Sequence, residues 1–137
     1  AGRTRLGLAE RANEWLEPTS WLPAPGQGAL GIVTRTEDAE TRQLVAALND
    51  PDSFAAVTAE RTLLEALGGG CQMPIGALGV TYDQKMRLWG LVASPDGRRL
   101  VRGDLTGSLA DLEALGHKLA DLLRERGAEA ILAELEE

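Results

Sequence analysis

The chain has 137 residues, of which 44% are hydrophobic and 26% charged, and its net charge is −7. That length can bury one real core, and the sequence contains neither an apolar run long enough to span a bilayer nor a signal-peptide pattern. The acid excess argues against general nucleic-acid binding, which needs Lys and Arg against phosphate, and the single cysteine excludes an internal disulfide framework or a zinc site of several thiolates.

Taken in order, Ala1 to Leu8 is short and mixed, with Arg3 and Arg5 flanking Thr4. On pattern alone both arginines are solvated charge. Ala9 to Leu16 reads as a helix ended by Glu17-Pro18, because proline disfavours helix in its predecessor. Trp21 to Gly28 is a Pro/Gly loop, and Ala29 to Thr34 is a short apolar run of strand type. The glycines at 26, 28 and 31 lack the following helix and Lys-Ser/Thr pair of a phosphate loop. Thr41 to Leu48 can form a short helix.

Asn49-Asp50-Pro51 starts a longer helix, with Asp50 as N-cap and Pro51 in the first turn. It should run to about Leu67, with Ala56, Val57, Glu60, Leu63, Leu64 and Leu67 on one face and Gly68 as its stop. Glu60 is the anomaly on that face. A core-facing carboxylate needs a charged or multiply hydrogen-bonded partner, and the structural reading, in which it orients the loop around Cys71, outweighs a catalytic one.

The period then changes to that of strands: Leu78 to Tyr82, Met86 to Ala93 and Arg99 to Leu105. Asp83-Gln84 joins the first two and Ser94-Pro95-Asp96-Gly97 the last two. Met86, Leu88, Gly90 and Val92 fall on one face, Trp89 and Leu91 on the other. Arg98, Arg99 and Arg102 read as outward charges that discourage strand addition. Ser108 is placed as the cap of a helix whose Leu112, Leu115, Leu119, Leu122 and Leu123 form a core stripe. Gly127 breaks it, and Ala128 to Leu135 adds a short helical piece. His117 lies off the stripe with no second ligand at metal spacing, so no metal site is expected. From Ser108 onward eight acidic and three basic residues make a solvated helix surface.

Between the long helix and the first strand lies Gly68-Gly69-Gly70-Cys71-Gln72-Met73-Pro74-Ile75-Gly76, with the only cysteine. Spacing alone leaves two readings open. A free cysteine is commonly a small buried hydrophobe; framed by glycines it can instead be presented as a reactive or modified thiol.

Ala59-Glu60-Arg61 followed by Gly69-Gly70-Cys71-Gln72-Met73-Pro74-Ile75-Gly76 resembles the cofactor loop of the porphobilinogen deaminase (hydroxymethylbilane synthase) family. Leu22-Pro23-Ala24-Pro25-Gly26-Gln27-Gly28-Ala29-Leu30-Gly31-Ile32 resembles a second family motif at a compatible distance. The resemblance runs from Ala1 to about Leu135 and covers the C-terminal part of an enzyme about twice as long. It implies a transferase of tetrapyrrole (haem and chlorophyll) synthesis, cytoplasmic, that condenses porphobilinogen units head to tail with loss of ammonia and releases hydroxymethylbilane. It implies a dipyrromethane cofactor joined by a thioether to Cys71. Loss of ammonia leaves a methylene–pyrrole electrophile, and a soft thiolate traps it. Arg5 falls on a family arginine that helps bind the acidic side chains of the cofactor and substrate pyrroles, a task suited to a planar, permanently charged fork. Arg3 stands where the family has more often an apolar residue. Gln27 matches a glutamine near the substrate. The family's catalytic aspartate and most of its anion-binding residues lie in a part not matched here, so no catalytic residue is assigned in this chain, which alone should not turn over.

The fold class expected is therefore α+β: a C-terminal three-stranded antiparallel sheet packed with helices, preceded by a segment from incomplete α/β domains of periplasmic-binding-protein type. Residues 1–28 would end the second of those domains, 29–48 return into the first, and 49–137 form the C-terminal domain carrying the cysteine. The expected partners are porphobilinogen and the N-terminal half of the same enzyme, with no nucleic acid and no membrane. Two rivals remain open on the sequence: a non-catalytic interaction or regulatory module with a structural cysteine, and a thiol redox module, disfavoured by the lack of a resolving cysteine.

Overall fold

The computed structural model describes residues 2–70 and 73–134. Helix α1 (Gly2–Arg5) and a 3-10 turn (Ala9–Arg11) open the chain, followed by α2 (Ala39–Ala46) and α3 (Pro51–Ala66). Strands β1 (Ile75–Tyr82), β2 (Lys85–Ala93) and β3 (Leu100–Ser108) come next, then α4 (Leu112–Glu125) and α5 (Ala128–Ala133).

The strands form one antiparallel sheet in the order β1-β2-β3. Its register pairs Tyr82 with Lys85 at the first hairpin and Ala93 with Leu100 at the second. Asp83 and Gln84 turn the first hairpin with φ of 45° and 60°, the doubly left-handed geometry that matches strand twist. In β2 the alternation is as read: Met86, Leu88, Gly90 and Val92 are buried, and Trp89 and Leu91 are half-buried on the opposite face. On that outer face Arg87 lies 4.8 Å from the Trp89 ring centroid and pairs with Asp104 across the ladder.

Glycines on the inner face of the sheet give the helices room to approach it. A methyl placed on Gly90 would stand 2.9 Å from both Leu63 and Leu123 side chains, and one on Gly79 would stand 3.0 Å from the Ala56 Cα. Helices α3 and α4 therefore lie close on the sheet, and their leucines fill the space over β2. Leu63, Leu119 and Leu123 are fully buried with Met86, Leu88 and Val92. Helix α5 closes the core with Ile131 and Leu132.

Asp50 caps α3 by accepting from Ser53 N at 2.7 Å, with Pro51 in the first turn. Its C-terminus closes on Gly68 (φ 73°): Gly68 N donates to Glu65 O and Gly69 N to Leu64 O, each 2.9 Å, the paired bonds of a left-handed helix stop. Leu109 to Asp111 separate β3 from α4, because the strand runs through Ser108. The N-cap of α4 is accordingly Asp111, accepting from Ala114 N at 3.3 Å. Ser108 instead accepts from Ala110 N in the turn before it.

Residues 2–48 depart further from expectation. Ala9–Leu16 is not one helix; only the 3-10 turn Ala9–Arg11 forms, with Trp15 and Leu16 exposed. An amphipathic helix takes most of its stability from packing, and among the described residues nothing covers this one. Ala29–Thr34 does not form a strand, and its Leu30, Ile32 and Val33 are 89%, 55% and 94% exposed. A strand needs neighbours for its backbone groups and its side chains. Helix α2 forms slightly earlier than read, capped by Asp38 on Thr41 N.

Candidate functional site

The cysteine lies outside the described residues, but its frame does not. The loop leaves the capped end of α3 and enters β1 at Ile75. Gly69 threads between Leu64 and Ile75, where a methyl would stand 2.5 Å from one Cδ1 and 2.8 Å from the other. Past it the backbone closes on itself, with Met73 N donating to Gly70 O at 3.1 Å. The Arg124 guanidinium of α4 donates to Ala66 O at the end of α3 and also pairs with Glu129 at 3.3 Å. The α3 end of the cysteine loop is thus held by a helix stop and an arginine brace, and the tight passage at Gly69 sets it against Ile75 at the β1 end.

A second set of contacts fastens the Pro/Gly loop to the same unit. β1 is an edge strand, and its outward N–H groups need acceptors. Ala77 N donates to Pro23 O at 2.9 Å, and Gly79 N donates to Glu60 Oε1 at 2.7 Å. The other oxygen of Glu60 accepts from Gly26 N at 2.7 Å. Glu60 is 6% exposed. Burial pushes its carboxyl above the ordinary glutamate value, and the two N–H donors oppose that shift. Its partners are therefore Gly26 and Gly79, not the cysteine loop as expected from sequence. Arg102 of β3 reaches across the sheet to the carbonyls of Thr19 and Ser20, and Arg99 pairs with Glu134 after α5. These two arginines are tertiary ties, not plain outward guards; Arg98 is exposed beside Asp96.

Arg5 is exposed at the end of α1, which closes on Gly7 (φ 66°) by Gly7 N to Thr4 O and Leu8 N to Arg3 O. Arg5-Leu6-Gly7 thus makes the arginine the last helical residue before a left-handed stop, with its side chain in solvent. Gln27 is exposed too, and its Oε1 accepts from Ala24 N at 3.1 Å. Among the described residues no hydrogen bond or ion pair joins Arg5 to Gln27. Gln27 belongs to the segment that Pro23, Gly26 and Arg102 pin to the sheet, and Arg5 lies upstream of that segment. Sequence reasoning missed Arg102 and Arg124 in this frame, since their acceptors are main-chain carbonyls 58 or more residues away. His117 is exposed on α4. Among the described residues no group of three or more His, Cys, Asp or Glu side chains stands together to hold a metal ion, and no helix is long and apolar enough to cross a membrane.

Residues 54–125 match the family model described as porphobilinogen deaminase, C-terminal domain, and residues 1–43 match that described as porphobilinogen deaminase, dipyromethane cofactor binding domain. Porphobilinogen deaminase of Pelobacter propionicus is 47% identical over 98% of the chain. The enzymes so named from Roseiflexus castenholzii and Alkaliphilus metalliredigens are 45% and 44% identical over 97% and 96% of it. The aligned part is 42–44% of each relative, so the chain spans less than half the length of the curated relatives it matches. With one family model covering more than half of its residues and a second matching before it, the chain belongs to the porphobilinogen deaminase family.

Proposed function

We propose that this chain works as the C-terminal part of a cytoplasmic hydroxymethylbilane synthase, which condenses porphobilinogen into the linear tetrapyrrole hydroxymethylbilane, and that Cys71 anchors its dipyrromethane cofactor through a thioether. The observation that carries this reading is identity of about 45% along nearly the whole chain to enzymes of that name. The frame of the cysteine loop fits an anchored group. A methyl on Gly70 would meet nothing within 4 Å among the described residues, whereas one on Gly69 would meet Leu64 and Ile75. When bound, a dipyrromethane would supply the nucleophilic pyrrole position that takes the first unit, later units joining the free end of the chain so begun. Cys71 holds that group without being released, so successive additions become nearly intramolecular. Arg5 offers a permanent positive fork to carboxylate side chains, and Gln27 a polar group beside the chain they belong to.

Residues 1–28, 29–48 and 49–137 belong in this reading to the second, first and third domains of the enzyme, respectively. The first two supply what residues 2–48 lack: a sheet for Ala29–Thr34 and a cover for Leu30 and Val33. The general acid for ammonia loss also lies in that N-terminal part.

Intact-mass measurement of the full-length enzyme tests the anchor. A two-pyrrole adduct is expected on the wild type and its complete absence on Cys71→Ser, because a hydroxyl is far less ionised than a thiol near neutral pH. Normal turnover by Cys71→Ser with a noncovalent cofactor would sink the assignment.

A further inference from the structure

Resting on the function proposed above, we infer that Glu60 is a positioning residue, which holds the Gln27-bearing loop in register with the unit that carries Cys71 while the pyrrole chain is built. The geometry is specific. Glu60 sits in the middle of α3, eleven residues before the cysteine. One carboxylate oxygen takes Gly79 N of β1, the strand that follows the cysteine loop; the other takes Gly26 N, the residue before Gln27. Both bonds are 2.7 Å, a length typical of charged acceptors. The two donors come from 34 residues before it and 19 after it, so a single side chain spans both flanks of the proposed site.

No simpler role accounts for that placement. The capping of β1 alone would need one oxygen, and the core around it is apolar: Ala59 and Leu63, its helix neighbours, are fully buried. A carboxylate there bears the cost of desolvation, which a leucine would avoid. What a leucine could not do is accept from Gly26 N, in a residue with φ of 71° whose nearest side chain is Val57, 3.7 Å from a methyl built on it. Apart from Glu60, the loop from Pro23 to Gly28 is tied to β1 by the Pro23–Ala77 bond. With both bonds made the loop cannot pivot about Pro23; with Glu60 silent it can. Angstrom-scale misplacement of groups at a reacting centre is costly, so a hinge here would slow chain extension without touching attachment of the cofactor.

Glu60→Gln and Glu60→Asp in the full-length enzyme test this. An amide cannot accept from two N–H groups through two atoms, and it removes the burial cost of the charge, so Glu60→Gln should fold. Aspartate keeps the charge but is one methylene short of spanning both donors. Three readouts are expected together. Amide exchange at Gly26 or Gly79 should quicken while Leu63 and Leu88 stay protected. The cofactor adduct should load as in the wild type. Elongation should slow by about 10- to 100-fold in kcat, with enzyme-bound intermediates accumulating by mass and KM moving less than kcat. Wild-type kinetics in both folded variants would overturn the positioning role, as would protection lost uniformly across the core, which marks Glu60 as mere scaffold. A wild-type enzyme that makes no hydroxymethylbilane would instead overturn the function proposed above and leave the exchange result at Gly26 and Gly79 to judge the tie itself.

Discussion

Residues 51–134 and residues 2–48 are built on opposite economies. Among the described residues the first bury fifteen hydrophobic side chains in one cluster between helices and a sheet. Among the second none is buried, and Leu6, Trp15, Trp21, Leu30, Val33, Leu44 and Leu48 are each at least 68% exposed. Both regions contain capped helices and left-handed glycine stops, so local signals do not separate them. What separates them is whether an apolar face finds a second face. The lesson is that a stretch can match a family model, as residues 1–43 do, and still hold little regular structure where no second apolar face covers it.

Substitution of apolar residues in the two regions should show the contrast most strongly. Leu63→Ala, at a site with no exposure, is expected to destabilise this chain by about 2–5 kcal/mol in urea unfolding. Leu30→Ala and Val33→Ala should change it by less than about 0.5 kcal/mol. If residues 29–48 return into another domain as proposed, the same two should become costly in the full-length enzyme. Equal, small effects in both settings would break the view that 29–34 is an unpartnered strand. Glycine gives a smaller version of the test. Gly90→Ala must push Leu63 and Leu123 aside, where its methyl would stand 2.9 Å from each, and should cost about 1–3 kcal/mol. Gly31→Ala meets nothing within 4 Å and should be neutral or slightly stabilising.

What was legible from sequence follows the same division. Helix α3 could be placed at both ends because Asp50-Pro51 and Gly68 are local devices, and β2 because alternation over nine residues survives whatever it packs against. The three-stranded order follows from two short turns. Illegible were the long-range ties: nothing near Glu60 names Gly26 or Gly79, and nothing near Arg102 names Thr19. The α4 cap was misplaced because Ser108 and Asp111 are both good N-caps, and the end of β3, Thr106-Gly107-Ser108, has no apolar alternation to mark it as strand. Ala9–Leu16 failed as a helix because periodicity supplies a face but not its partner.

Arg5→Leu should divide the regions by role. Its side chain is exposed and outside the core, so the unfolding midpoint of this chain should not move. In the full-length enzyme, loss of a charged bond to substrate carboxylate should weaken binding by about 1.5–3 kcal/mol, measured as slower elongation at low substrate. A variant that fails by unfolding, or one with unchanged kinetics, removes Arg5 from the site.

The smallest expected effect concerns acid. Asp38 and Asp50 each cap a helix, one in either region, and backbone donation from Thr41 and Ser53 holds each carboxyl below its ordinary value. A depressed carboxyl stabilises the folded state above its unfolded value, and that contribution is lost as pH falls through the folded one. For Asp50 the lost bond starts α3, on which the whole core rests, so global unfolding should register it. For Asp38 it starts α2, whose Leu44 is 70% exposed, so protonation should fray α2 without moving the global midpoint. Asparagine keeps the cap but cannot titrate. Comparing each Asn variant with wild type from about pH 5 down to about pH 2 cancels the other carboxylates, Asp96 and Glu134 among them. Asp50→Asn should flatten the acid limb of the stability curve, and Asp38→Asn should leave it unchanged. If Asp38→Asn flattens it as much, α2 unfolds together with the core, and the two regions are one cooperative unit after all.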